Sequence, residues 1–230
     1  MNRKNLVTAS ANINPMSPAV WSALAAHLAF GAVSADPGLD LSELSLEALS
    51  NIEVSSVSKT EEPLGGAAAA ITVISHDEIV RSGARSIPEV LRLVPGIQVA
   101  RVSSNAWAVS SRGFSSVQSN KLLVLTDSRS IYTPLFSGVF WDMQDVLLED
   151  VERIEVIRGP GASLWGANAV NGVINITSKS ARDTHGLLLD AGAGTEERVF
   201  ASARYGAQVG DRFHFRVFGK YFNRDASFNP

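Results

Sequence analysis

Residues 152–179 read ERIEVIRGPGASLWGANAVNGVINITSK: a strand, a break and a second strand within 28 residues. Arg153–Arg158 is rich in β-branched residues and bounded by glycine and proline, which predicts a strand. Gly159-Pro160-Gly161 interrupts it, and Leu164-Trp165-Gly166 makes a short knuckle. Asn171-Gly172 then turns the chain into a second β-branched run, Val173–Thr177. Glycines at 159, 161, 166 and 172 allow backbone to approach backbone closely or to take a positive φ. The Gly-Pro-Gly break is not a phosphate loop, because no Gly-Lys-Ser/Thr follows it.

Upstream, further short elements surround this pair. Ile71–Ile74 reads as a strand. Ser75 with Glu78 forms a capping box that opens a short helix, which Gly83 ends. Ser86 and Glu89 repeat the signal around Pro88, with Ile87, Val90, Leu91 and Val94 on one face and Pro95-Gly96 as the stop. Ile97–Val102 alternates as a strand, and Ala108–Arg112 and Lys121–Thr126 are two more. Short strands mixed with two short helices predict an α+β domain over about 63–180. The spacing is too irregular for a doubly wound βαβ repeat.

Downstream of residue 185 the pattern changes to period two. Leu187, Leu189, Ala191 and Ala193 alternate with Leu188, Asp190, Gly192 and Gly194. Val199, Ala201, Ala203 and Tyr205 alternate with Phe200, Ser202, Arg204 and Gly206, and Phe213, Phe215 and Val217 with His214, Arg216 and Phe218. Turns at 194–197 and 210–211 make these three hairpin-linked strands with one apolar and one polar face. Transmembrane barrel strands have this signature, and so does a soluble β-meander.

At the other end, Arg3 and Lys4 are the only charges among the first 35 residues. The apolar run Ala19–Ala35 ends in Val33-Ser34-Ala35. That predicts a cleaved export signal at 1–35. Residues 36–62 hold seven acids and the single basic residue Lys59, which predicts a flexible acidic arm. Leu41, Leu44, Leu46 and Leu49 make at best a short amphipathic helix in it. Within the arm, Ile52-Glu53-Val54-Ser55-Ser56-Val57 is β-prone. It suits strand addition to a partner's sheet edge, or an edge strand of its own domain.

Composition narrows the chemistry. The 230 residues carry a net charge of −3, which weighs against a nucleic-acid binder. The absence of cysteine removes disulfides, thiol catalysis and thiolate metal centres. The four histidines, at 27, 76, 185 and 214, have no H-x-x-x-H spacing, and no metal centre or cofactor is expected. Asp127 and Asp142 form no recognisable acid/base pair, and Ser163 has no histidine at a suggestive position, so no catalytic residue is assigned.

Taken together, the motifs resemble the plug domain of TonB-dependent outer-membrane receptors, followed by the first strands of their barrel. The resemblance rests on Ile71–Ile74 with its capped helix, Ile87–Leu91 through Val94-Pro95-Gly96-Ile97, Arg112-Gly113-Phe114 and Leu123–Asp127. It is most specific at Ile154–Pro160 and at Trp165–Ala169 through Asn171–Asn175. One departure is Asp127-Ser128, where the family has Asp-Gly. A positive φ at Ser128 would cost about 1 kcal/mol.

The resemblance implies a barrel of about 22 strands whose lumen the plug fills. It implies uptake of a scarce bulky solute, such as a ferric siderophore or cobalamin, across the outer membrane of a Gram-negative bacterium. Barrel lipid contact and energy from the inner-membrane TonB complex come with it. Ile52–Val57 falls where the family carries its TonB box. Arg112 and Arg158 match arginines that face acidic groups on the barrel wall, and so are candidates for a plug–barrel lock. Alternatively, Arg158 ends a strand with its head in water. Outward plug loops supply ligand contacts, which makes Trp107, Tyr132, Phe136, Phe140 and Trp141 the candidates. The same aromatics could equally pack against the wall.

Thr184 is followed by 46 residues, room for about three strands of the 9–11 residues that span a membrane. The expectation is therefore the front portion of a receptor, with poorly anchored strands over 185–222. The alternative is a barrel-less, plug-like binding module of the periplasm.

Overall fold

The computed structural model describes residues 53–54, 62–63, 70–133, 135 and 138–225. The export signal at 1–35, the leucine repeat at 41–49, and Ile52, Ser55, Ser56, Val57 and Phe136 lie outside the described residues. In the acidic arm, β1 (Glu53–Val54) pairs antiparallel with β2 (Glu62–Pro63), Glu53 opposite Pro63 and Val54 opposite Glu62.

The next elements in chain order are β3 (Ile71–Ser75), α1 (His76–Arg81), α2 (Ile87–Val90) and a 3-10 turn at Leu91–Leu93. Then come β4 (Ile97–Arg101), β5 (Trp107–Ser111), β6 (Leu122–Thr126), β7 (Arg129–Ser130) and a 3-10 turn at Leu148–Asp150. β8 (Val151–Arg158), the single-turn helix α3 (Ala162–Trp165) and β9 (Gly172–Ser178) complete this part. The stretch 152–179 supplies the two central strands of a five-stranded mixed sheet, ordered β3-β8-β9-β6-β7. β8 runs antiparallel to β3 and β9, and β6 runs parallel to β9. β4 and β5 form a separate hairpin. The α+β reading holds, with α3 as a third helical turn at the predicted knuckle.

Alternation decides what each sheet face buries. Ile74, Ile154, Val156, Ile174, Ile176, Leu122 and Val124 share one face. They pack with Ile79, Val90 and Leu91 from the helices, and with Trp107 and Trp141, into the main core. The other face carries a smaller cluster of Leu123, Leu125, Ile157, Ala169 and Val173. Gly172 is required where β9 starts: a Cβ there would stand 2.4 Å from the Ile157 carbonyl oxygen. The left-handed turn expected at Ser128 is present, with φ of 49° at Asp127 and 64° at Ser128. Asp127 secures it, its two carboxylate oxygens accepting from the Ser178 amide (2.8 Å) and hydroxyl (2.9 Å).

The helix caps came out differently from each other. Ser75 and Glu78 make the full capping box around α1. Ser86 makes no side-chain cap on α2. Glu89 instead reaches one residue further back and accepts from the Arg85 amide at 2.7 Å. Several strands also sit one or two residues from their predicted bounds: Val151 rather than Arg153 opens β8, and Trp107 rather than Ala108 opens β5.

Three long strands follow, β10 (Gly186–Gly192), β11 (Glu197–Val209) and β12 (Phe213–Arg224), ordered β10-β11-β12 and antiparallel throughout. Register sorts them into two faces, as the alternation predicts. Rows such as Leu189–Ala203–Gly219 and Leu187–Tyr205–Val217 lie on one face, where Leu187, Leu189, Tyr205, Val217 and Tyr221 are exposed. The rows Asp190–Ser202–Lys220 and Leu188–Arg204–Phe218 lie on the other.

Candidate functional site at the interface of the α+β domain and the strand sheet

The polar face of β10–β12 lies against the α+β domain, and charged pairs join them. Two clusters of opposite sense are present. In the first, the domain is basic and the strands acidic. Arg85, in the loop between α1 and α2, contacts Asp190 at 3.0 Å and Glu197 at 3.8 Å, with its guanidinium 3.5 Å over the Phe200 ring. Arg101, at the end of β4, contacts Glu196 at 2.8 Å. In the second, the domain is acidic and the strands basic. Asp150 accepts from Arg204 and lies 3.8 Å from the Arg216 guanidinium, while Asp145 pairs with Lys220 at 2.7 Å. Charges in both senses set the register of the interface, because a slip would oppose like charges.

Asp150 is the best buried of these groups. Its position is fixed by the 3-10 turn, whose Asp150 amide donates to the Leu147 carbonyl, and by its own carbonyl, which accepts from the Lys179 amide at 2.8 Å. The Asp150 and Arg204 side chains are 8 % and 11 % exposed, so neither is fully solvated and each depends on the other. Lys179 sits beside this pair. Burial, with help from Arg204, pushes its ammonium below the usual lysine value, while Asp150, Asp77 and Glu152 pull the other way.

The segment linking the domain to β10 lies on the same face. The Lys179 carbonyl accepts from Arg216 at 2.8 Å. Thr184 is buried over Gly206, where a Cβ would stand 2.0 Å from the Thr184 carbonyl oxygen. These contacts correct the expectation of poorly anchored strands. The open edges remain, but the inner face is held by ion pairs whose partners lie 54 to 105 residues apart.

The residues predicted from sequence are scattered over the domain. Arg158 ends β8 and donates from Nη1 to the Pro95 carbonyl at 3.0 Å, within the domain. Arg112 is exposed and opens a run of three left-handed residues, Arg112, Gly113 and Phe114, with φ of 56°, 89° and 58°. Trp107 and Trp141 are buried in the main core. Arg92 and Arg101 flank the Trp107 ring at 5.4 and 5.5 Å. Trp107 also borders a cavity of about 150 Å³ lined by Arg85, Glu89, Arg101, Glu196 and Arg224. Tyr132 and Phe140 are half-buried, whereas Phe114, Leu135 and Met143 are more than two-thirds exposed. Of the six residues 52–57, β1 holds Glu53 and Val54. Sequence reading placed Asp190, Arg204 and Arg216 on a polar face but missed their partners Arg85 and Asp150. It also missed the pair Asp145–Lys220. Among the described residues no cluster of three metal-ligating side chains occurs.

Comparison with known proteins agrees with this fold. The model of the TonB-dependent receptor plug domain matches residues 63–173. The chain is 35 % identical over 162 residues to the vitamin B12 transporter BtuB of Vibrio vulnificus, covering 68 % of this chain and 26 % of that protein. The open form of the ferric-catecholate import receptor Fiu from E. coli K12 shares 26 % identity with a TM-score of 0.52, over 69 % of this chain and 22 % of that one. P. aeruginosa FpvA in complex with pyoverdine shares the fold, with a TM-score of 0.58 at 19 % identity, over 75 % of this chain and 22 % of that one. The chain spans about a quarter of the length of these curated relatives. Matched over the α+β domain and sharing its fold with solved receptors, the chain belongs to the family of TonB-dependent receptors.

Proposed function

We propose that this chain forms the plug and first wall strands of an outer-membrane receptor of a Gram-negative bacterium. The receptor takes up a scarce bulky solute of the cobalamin or ferric-siderophore class and catalyses no reaction. The observation that carries this reading is the two-faced β10–β12 sheet: its polar face is ion-paired to the plug, and its other face presents Leu187, Leu189, Tyr205, Val217 and Tyr221 outward. A wall between a wet lumen and lipid needs those two faces. The 35 % identity to a vitamin B12 transporter favours cobalamin as the first solute to test.

In this reading, the arm around Ile52–Val57 offers main-chain hydrogen bonds to TonB by strand addition. Tension along that strand reaches the plug. Arg112 and Arg158 are lock residues toward acidic wall groups. Tyr132, Phe136 and Phe140 meet the solute at the outer loops, with Trp107 and Trp141 bracing those loops from the core. Uptake of labelled cobalamin and of ferric siderophores by receptor-deficient cells carrying the gene tests the proposal. Energy-dependent uptake of one of them is expected, and uptake of neither contradicts it. Substituting Val54→Pro removes one of the donors. It is expected to abolish uptake while leaving binding of the same solute to outer membranes intact; unchanged uptake would move the TonB contact elsewhere.

A further inference from the structure

The segment between plug and wall brings together two histidines that no strand pairing would join. His185 precedes β10 and His214 is the second residue of β12, and β11 lies between those strands. They meet because Thr184 crosses β11 at Gly206, where the missing side chain leaves room for the crossing backbone. His185 Nε2 and His214 Nδ1 then stand 2.9 Å apart, with the rings 11° from parallel and their centroids 5.1 Å apart. One ring donates and the other accepts, and the pair is exposed to solvent.

We propose that His185 and His214 form a two-imidazole site for a borderline divalent transition-metal ion, of the Cu2+ or Zn2+ class, which clasps the plug–wall connection to β12. Two imidazole nitrogens bound at right angles to one ion, at about 2.05 Å each, stand about 2.9 Å apart, and at a tetrahedral angle about 3.3 Å apart. The observed spacing therefore needs little movement, only a rotation of the rings to aim both lone pairs at a common point. Imidazole selects Zn, Cu and Ni over Mg and Ca, which want oxygen ligands. No third His, Cys, Asp or Glu completes a set among the described residues, so water fills the remaining positions. His76, whose Nδ1 is engaged with the Val151 carbonyl at 2.8 Å, offers one free imidazole nitrogen where the pair offers two. The ion joins residues on both sides of β11, and so adds a cross-strand tie that backbone pairing cannot make. The proposal rests on strand geometry and stands whichever solute the receptor carries.

The test is titration of the purified protein in detergent with Cu2+, read by electron paramagnetic resonance. The first equivalent is expected to show coupling to two imidazole nitrogens. H185Q and H214Q are each expected to weaken that site at least about tenfold, the scale on which even supporting partners of metal ligands act. A wild-type spectrum with one imidazole nitrogen or none overturns the proposal without reference to any variant. Wild-type binding by both variants overturns it too.

Discussion

Asp150 places one carboxylate beside two guanidiniums while its backbone closes a turn, and it sits where solvent screens little. Breaking such a pair costs more than the pair contributes, because the remaining charge is left buried. Asp150→Asn is therefore expected to lower the unfolding free energy by about 3–5 kcal/mol, measurable by denaturant unfolding followed through tryptophan fluorescence. A change below 1 kcal/mol would mean that Arg204 finds water or another acid. Ser128 works in the opposite direction. It holds a φ of 64° that glycine tolerates freely, and among the described residues its hydroxyl makes no hydrogen bond; Asp127 secures the turn. Ser128→Gly is expected to stabilise the domain by about 1 kcal/mol. Destabilisation in the same unfolding assay would show that the serine contributes something beyond its backbone. This strain was legible in the sequence, since the family pattern puts glycine where this chain has serine.

Elements differ in how far the sequence exposes them. The capping box of α1 is written in two residues three apart, and it forms as read. Ser86 and Glu89 carry the same signal, yet Glu89 reaches the Arg85 amide, whose side chain is already engaged with β10 and β11. There a tertiary contact decided the local geometry. The alternation of β10–β12 was plain because period two needs only neighbours. The ion pairs were not, because their partners lie on other elements. Nothing in the sequence signals that the β4–β5 hairpin and the loop before β8 fold back over the central sheet, which is what buries Trp107 and Trp141. The connection across β11 gives an element-scale prediction. Gly206→Ala puts a methyl group 2.0 Å from the Thr184 carbonyl oxygen, a distance that backbone must move to relieve. Faster proteolysis at residues 179–186 is expected, with the plug sheet unchanged. Equal cleavage rates would mean that the connection does not lie on β11.

At the scale of the molecule, the interface is an ionic fit rather than an oily one. The plug domain has its own core on both faces of its sheet, and β10–β12 present Leu187, Leu189, Tyr205, Val217 and Tyr221 on the face away from it, while Leu188, Phe200 and Phe218 share the facing side with the charges. What remains between them is charge of both signs around a cavity of about 150 Å³. Ion pairs of both senses thus hold the domain to the strands. The more exposed of them, such as Arg101–Glu196, are easier to break one by one than a packed core. That combination suits the proposed role, in which the plug seals a lumen and yields to a pull. The central claim is that these pairs dock the plug domain on β10–β12, and a charge swap tests it most directly. Asp145→Lys and Lys220→Asp, made singly, are expected to expose the plug to protease in outer-membrane preparations. Made together they are expected to restore protection, since the pair is re-formed with its sign reversed. Additive damage in the double variant, with the plug more exposed than in either single one, would contradict the docking described here.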